Sequence, residues 1–177
     1  MSGLVPPKAG CDLTYINMGL RFPEQIFGQY FFITTTFQKW RKYGDFEGLY
    51  EAMASSLMYC SKKYKAQITG YVFMPNHIHL ILHIDGKILS SFMRDFKKFI
   101  SQKVAKDVGI KDSSIWMPRY DRVVIHTEKT MRTKLQYIHT NPVKANLASE
   151  SLSWKWSSAI DYLTFKKGII PIFKDWI

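Results

Sequence analysis

Histidines 77 and 79 are separated by one residue within the stretch Tyr71-Val-Phe-Met-Pro-Asn-His-Ile-His-Leu-Ile-Leu-His83. Alternation along a strand sends positions 77, 79, 81 and 83 to one face and 78, 80, 82 and 84 to the other. The second set is Ile, Leu, Leu, Ile, a core face; the first is His, His, Ile, His. Imidazoles at i and i+2 stand about 7 Å apart at their backbones, a gap that one divalent ion bridges. His83, about 13 Å beyond His79, lies outside that ion's reach. Two surface histidines on an edge strand would give the same pattern, and two neutral imidazoles are an incomplete ligand set. A hard ion such as Mg²⁺ or Mn²⁺ takes an oxygen ligand as well and leaves positions for phosphate oxygens.

A second stretch, Leu135-Gln-Tyr-Ile-His-Thr-Asn-Pro-Val-Lys-Ala-Asn-Leu147, has helical spacing. Met131, Leu135 and Ile138 face the core of such a helix. Tyr137 points elsewhere, beside Lys134 at i−3 and Asn141 at i+4. A tyrosine on a polar helix face is commonly just an amphipathic surface residue. Asn141, standing before Pro142, also reads as the cap of a new helix. Because proline biases its predecessor away from α geometry, Tyr137 and Asn141 share a face only if the turn persists through Asn141.

The elements that must position these residues follow from periodicity. Tyr30–Phe37, rich in aromatic and β-branched residues, reads as a strand. Phe46–Tyr64 reads as a helix, with Leu49, Met53, Leu57 and Cys60 at three- and four-residue spacing. Gln67–Phe73 and Ile78–Ile84 are strands, with Pro75-Asn76 as the turn between them. A long amphipathic helix, about Ile88–Lys106, is expected to bury Leu89, Phe92, Phe96, Phe99, Ile100 and Val104, with Arg94, Lys97 and Lys98 opposite. After a break at Gly109, Arg119–Ile125 gives a fourth strand. The order β-α-β-β-α-β predicts an α+β, ferredoxin-like fold: an antiparallel four-stranded sheet with two helices on one face. A further helix, about Glu128–Thr140 and capped by Thr127, carries Tyr137, and a helical region near Ser157–Phe165 follows.

The chain has 177 residues, 25 Lys and Arg against 14 Asp and Glu, and a net charge of +11. That excess points to a polyanionic partner, nucleic acid before an acidic membrane surface, and argues against an enzyme of neutral metabolites. Between Lys87 and Lys144 there are 13 Lys and Arg and 5 Asp and Glu, so +8 falls in one third of the chain. Aromatic residues (Trp116, Tyr120, Tyr137) are interleaved there, as on nucleic-acid surfaces, although a solvated helix face has the same charge pattern. No apolar run is long enough for a transmembrane helix, so no membrane partner is expected. Met1–Gly10 lacks the basic start and apolar core of a secretory signal, and Cys11 and Cys60 form no CxxC pair, which points to a reducing cytosol.

Taken together, "YVFMPNHIHLIL" and, 58 residues after His79, "YIHTNPVKANL", with "WMPRYDRVVI" between them and "WKWSS" after, resemble the REP-associated tyrosine transposases. These are bacterial relatives of the small insertion-sequence transposases in the HUH single-tyrosine group. The resemblance runs from about Tyr30 to Leu163. It implies one HUH domain over residues 30–177, after a 1–29 extension that matches nothing. It implies His77 and His79 as metal ligands for Mg²⁺ or Mn²⁺ and Tyr137 as nucleophile. The third ligand, one turn beyond the tyrosine, falls on Asn141, where related enzymes commonly have Gln; His139 is the reserve. The implied reaction is cleavage and rejoining of single-stranded DNA at hairpin elements through a 5′-phosphotyrosine, in a bacterial cytoplasm at the nucleoid.

With that reaction in view, Arg94, Lys97, Lys98 and Lys103 are expected to neutralise backbone phosphates, Arg119 or Arg122 to grip a hairpin stem, and Lys134 to assist the tyrosine electrostatically. Trp154 and Trp156 are candidates for stacking on unpaired bases, against core packing for at least one of them. The competing readings are a non-cleaving DNA-hairpin binding protein on the same scaffold, a replication or conjugation relaxase, and a metallohydrolase of small phosphate esters. Monomer and homodimer are both open, since single-tyrosine relatives act either in cis or across a pair.

Overall fold

The protein is described here from a computed structural model covering residues 29–108 and 115–176. Nearly all of the 1–29 extension, Cys11 and the break at Gly109 lie outside these residues. Four strands form one antiparallel sheet: β1 (Tyr30–Thr36), β2 (Gln67–Phe73), β3 (His77–His83) and β4 (Asp121–Val124). Their spatial order is β2-β3-β1-β4, which with the helices α1 (Leu49–Tyr64) and α2 (Gly86–Val108) gives the expected split β-α-β arrangement. Two more helices follow, α3 (Glu128–Lys144) and α4 (Ala159–Leu163).

The two sheet faces bury different helices. Phe31, Ile33, Ile78, Leu80 and Leu82 point to one side, where they form the main core with Met53 and Leu57 of α1 and Phe92 and Phe96 of α2. Phe32, Val72 and Ile81 point to the other, against Met131, Leu135 and Ile138 of α3. The alternation seen in β3 therefore separates two cores rather than core from solvent. Helix α3 covers the face that carries His77 and His79.

Local chemistry sets how closely α3 lies. Thr127 caps it, its side chain accepting from the Thr130 amide, and Glu128 occupies the first turn. In β2 the pairing with β3 slips between Ile68 and Gly70, and an added Cβ at Gly70 would lie 2.9 Å from both Ile138 Cδ1 and Leu135 Cδ2. Only a glycine lets the helix rest there. Pro142 does not end α3, which runs on to Lys144. The chain turns at Asn146 in the left-handed region, with the Leu147 amide donating to the Pro142 carbonyl.

Two expectations for α2 need correcting. Met93 is buried in the stripe, whereas Phe99 is 46% exposed. At about 100° per residue, position 99 falls roughly 80° off the centre of that stripe. Lys97 is not on a solvated face: it lies over the Trp116 ring and donates to the Met117 carbonyl at 2.7 Å, pinning the approach to β4. Burial pushes its ammonium down to about 8.

The "WKWSS" stretch is also structural. The amides of Phe73 and Ser158 donate to the carbonyls of Trp156 and Tyr71, so this segment covers the open edge of β2. Trp156 is 7% exposed within the main core, which removes it from base stacking. Trp154 is half-buried, its indole N–H held by the Phe73 carbonyl.

Candidate active site

The turn at Pro75-Asn76 brings the Met74 amide to the His77 carbonyl at 2.9 Å, so β3 begins at the first histidine. His77 and His79 follow on one face, with ring centroids 4.7 Å apart. Helix α3 lays Tyr137 over them, its ring centroid 5.2 Å from that of His79 and near-perpendicular to it. Phe32 completes the cluster, stacked on His79 at 5.3 Å and edge-on to Tyr137 at 6.0 Å. Tyr137 itself is 42% exposed, so its ring has one side on the site and one on solvent.

Both imidazoles present the nitrogen that a metal needs. Asn76 Oδ1 is an acceptor only and sits 2.6 Å from His77 Nδ1, so Nδ1 carries the proton and Nε2 the lone pair. His79 Nδ1 is 2.9 Å from Thr34 Oγ1, its partner across β1, and donation to that oxygen leaves Nε2 as the bare nitrogen. His79 Nε2 is buried and has no hydrogen-bond partner. Burial pushes His77 down to about 4 and His79 well below its ordinary value, with the charge of Lys134 adding to the latter. Both rings are therefore neutral at physiological pH, the state that ligates metal.

Asn141 lies one turn past Tyr137 because α3 persists through Pro142. Its Nδ2 is likewise buried without a partner. A half-turn of the carboxamide exchanges that nitrogen for the oxygen, which is the ligating end. Among the described residues no group of three His, Cys, Asp or Glu side chains is assembled, so an oxygen from an amide fits the remaining need of the pair. Two neutral imidazoles, one with a buried orphan nitrogen, and a carboxamide with a buried nitrogen one turn past Tyr137 are a donor set whose chemistry fits a divalent cation.

The reserve ligand does not belong to the site. His139 is buried on the other side of α3, with Nε2 2.9 Å from Ser158 Oγ and its ring 5.3 Å from that of Tyr162. Ser158 Oγ also accepts from the Tyr71 amide at 3.0 Å, so His139 belongs to the packing of α3 on the β2 edge. His83 is separate too, stacked on Tyr30 at 4.4 Å and bonded to Gln67 Oε1.

The positively charged candidates divide between the two faces. Lys134 is at the site, its Nζ 4.6 Å from the Phe32 centroid and its ammonium lowered by burial. Arg119 is exposed, and Arg122 pairs with Ile33 on the edge strand β4, on the side that faces α1 and α2. Arg94, paired with Asp95, and Lys98 and Lys103 are exposed on α2, across the sheet from His77. The basic helix therefore does not line the site. Sequence reading missed two neighbours: Lys144, whose Nζ lies 5.8 Å from the Tyr137 ring, and Trp40, edge-on to His77 at 6.3 Å. The spacing of Lys144, seven residues past Tyr137, was a readable helical signal; Trp40 had none.

Among the described residues no helix is long and apolar enough to cross a membrane. The REP-associated tyrosine transposase of Escherichia coli strain K12 is 27% identical over 129 residues, which span 72% of each chain. A putative REP-associated tyrosine transposase of Haemophilus influenzae is 25% identical over 105 residues, 54% of this chain and 60% of that one. The solved structure of a REP-associated tyrosine transposase bound to a REP hairpin has the same α+β fold, with a TM-score of 0.68, 24% identity and coverage of 88% of this chain and 90% of the other. Residues 29–141, which hold the histidine strand, the tyrosine and Asn141, match the IS200-like transposases, and the chain belongs to that family.

Proposed function

We propose that this protein cleaves and rejoins single-stranded DNA beside hairpin elements, with Tyr137 as the nucleophile and a divalent metal, Mg²⁺ or Mn²⁺, held by His77, His79 and Asn141. The observation that carries this reading is the meeting, within one chain, of Tyr137 and a neutral histidine pair that has a buried, unpartnered Nε2. The metal, when bound, offsets negative charge on the scissile phosphate oxygens. The Tyr137 oxygen attacks phosphorus, forming an O–P bond as the bond to the 3′ oxygen breaks. That oxygen leaves as a 3′-hydroxyl, having taken up a proton, and the 5′ end stays on the tyrosine. Attack by a second 3′-hydroxyl reverses the step and frees the phenol. A phenol with a reference pKa of about 10 must lose its proton to attack. The ammonium groups of Lys134 and Lys144, one beside His79 and one over the Tyr137 ring, favour the resulting phenolate.

Hairpin DNA is the proposed partner because similar proteins are REP-associated tyrosine transposases, one of them solved bound to a REP hairpin, and because the chain carries +11. Arg119 and Arg122 at the β4 edge are the contacts proposed for a stem. Arg94, Lys98 and Lys103 on α2 reach only DNA that continues around this edge to the far face. The test is covalent trapping: a labelled hairpin with a single-stranded flank, incubated with Mg²⁺ or Mn²⁺ and run under denaturing conditions. The expected result is a shifted protein–DNA band that disappears with Tyr137→Phe and with chelator. Tight binding without any adduct, across several hairpins and both metals, would overturn the nuclease and leave a hairpin-binding protein.

A further inference from the structure

The turn that follows β1 places an aromatic side chain at the rim of the site, under constraints that packing does not explain. Trp40 is 59% exposed, an unusual state for the largest apolar side chain. Its ring stands edge-on to His77 with centroids 6.3 Å apart. Lys39 and Trp40 both have φ of 55°, a left-handed backbone that residues with a Cβ rarely adopt, and here two do so in succession. The turn is nevertheless fixed. The Phe37 amide donates to the Asn76 carbonyl, the Gln38 amide to that of Ile115, and the Trp40 and Arg41 amides close onto Phe37 and Gln38. Lys39, Arg41 and Lys42 flank Trp40 along the chain and are all exposed, with Arg41 Nη1 donating to the Tyr43 hydroxyl at 3.3 Å. A hydrogen-bonded turn that holds an indole out of the core, beside His77 and in a segment carrying exposed Lys39 and Lys42, is built as a stacking platform for an unpaired base.

We propose that Trp40 stacks on an unpaired nucleobase of the strand bound at the His77–His79–Tyr137 centre, with Lys39 and Lys42 holding the adjoining phosphates. This rests on the reading of that centre as a single-stranded DNA site. Every base has a π face, so the contact recognises the unpaired state and not the sequence. Phosphate contacts carry the salt dependence, whereas stacking does not, and the two contributions are therefore separable.

Binding is measured by fluorescence anisotropy with a thymidylate dodecamer and with a blunt-ended duplex of matched charge, over a range of salt. Trp40→Ala is expected to weaken binding to the dodecamer roughly ten- to hundredfold and to leave the salt slope unchanged. It leaves the blunt duplex within about twofold of the parent, and Trp40→Phe recovers most of the loss. Lys42→Gln is expected to lower the dodecamer's salt slope by about 0.7. A Trp40→Ala protein that melts like the parent and binds the dodecamer equally well would overturn the proposal, as would equal losses on both probes. A parent that fails to bind the dodecamer also overturns it. Failure of the covalent-trapping test alone would remove the nuclease reading but not a Trp40-dependent difference between the two probes.

Discussion

Burial lowers three histidines of this protein in the same direction, yet their hydrogen bonds give them different work. His77 and His79 spend Nδ1 on Asn76 and Thr34, and their Nε2 atoms are left for a ligand. His139 has Nε2 on Ser158 Oγ, a hydroxyl that also meets the Tyr71 backbone, and its ring seals α3 to the β2 edge. Its folded-state pKa, pushed down to about 4 by burial, makes His139 a determinant of acid stability. The unfolded ring takes up a proton near its ordinary value of about 6.5, the folded ring only near 4. Between those limits the unfolded chain binds more protons, so stability rises with pH across the window and is lost as pH falls from about 6.5 to 4. The His139 share of that loss is about 3 kcal/mol once the pH is below 4. Denaturant titrations at several pH values should therefore show His139→Gln with a shallower slope than the parent, by up to one proton, and a lower stability at pH 7. An identical slope would mean that His139 is protonated in the folded protein.

At the scale of elements, the geometry of the centre depends on how near α3 approaches the sheet. Gly70 permits that approach, since its missing Cβ would lie 2.9 Å from the ends of Ile138 and Leu135. Gly70→Ala should cost about 1–3 kcal/mol, because flexible side-chain ends can yield but only by lifting or twisting the helix. Ile138→Val removes the Cδ1 in question, so the cost of Gly70→Ala should be smaller in that background, a positive coupling visible in a double-mutant cycle. Strict additivity would mean that the helix does not bear on Gly70. Much of this architecture was legible beforehand. The four strands, the Thr127 cap and the core and histidine faces of β3 followed from period-two and 3.6-residue patterns, which report local geometry directly. Which sheet face α3 covers was not legible, because an amphipathic helix announces only that it has a partner. For the same reason periodicity marks a basic face on α2 without showing that it lies across the sheet from the histidines, and it does not show that Lys97 and Trp156 are drawn into packing. Asn141 could be placed only once α3 was seen to continue through Pro142. Trp40 depends on two consecutive left-handed residues in a turn with no glycine, a conformation that composition does not encode.

For the whole molecule, the consequence of this packing is that one chain holds every proposed part. The Tyr137 ring lies 5.2 Å from the His79 ring of the same chain, on a helix fixed to the sheet by Met131, Leu135 and Ile138. Detaching α3 without receiving a second copy's helix in return would expose that small core, including Phe32 and Ile81, and leave His79 without its aromatic cover. Loss of several buried aliphatic contacts costs a few kcal/mol each, which holds the helix on its own sheet in a single copy, and only a reciprocal exchange with a second copy would restore the same contacts. The tyrosine is therefore expected to act in cis. Tyr137→Phe and a His77→Ala, His79→Ala double variant should each fail to form a covalent adduct, and an equimolar mixture should fail as well. Adduct formation by the parent should stay proportional to protein concentration upon dilution. Recovery of activity in the mixture would show that tyrosine and histidines from different copies combine, which would require α3 to leave the face on which it packs here.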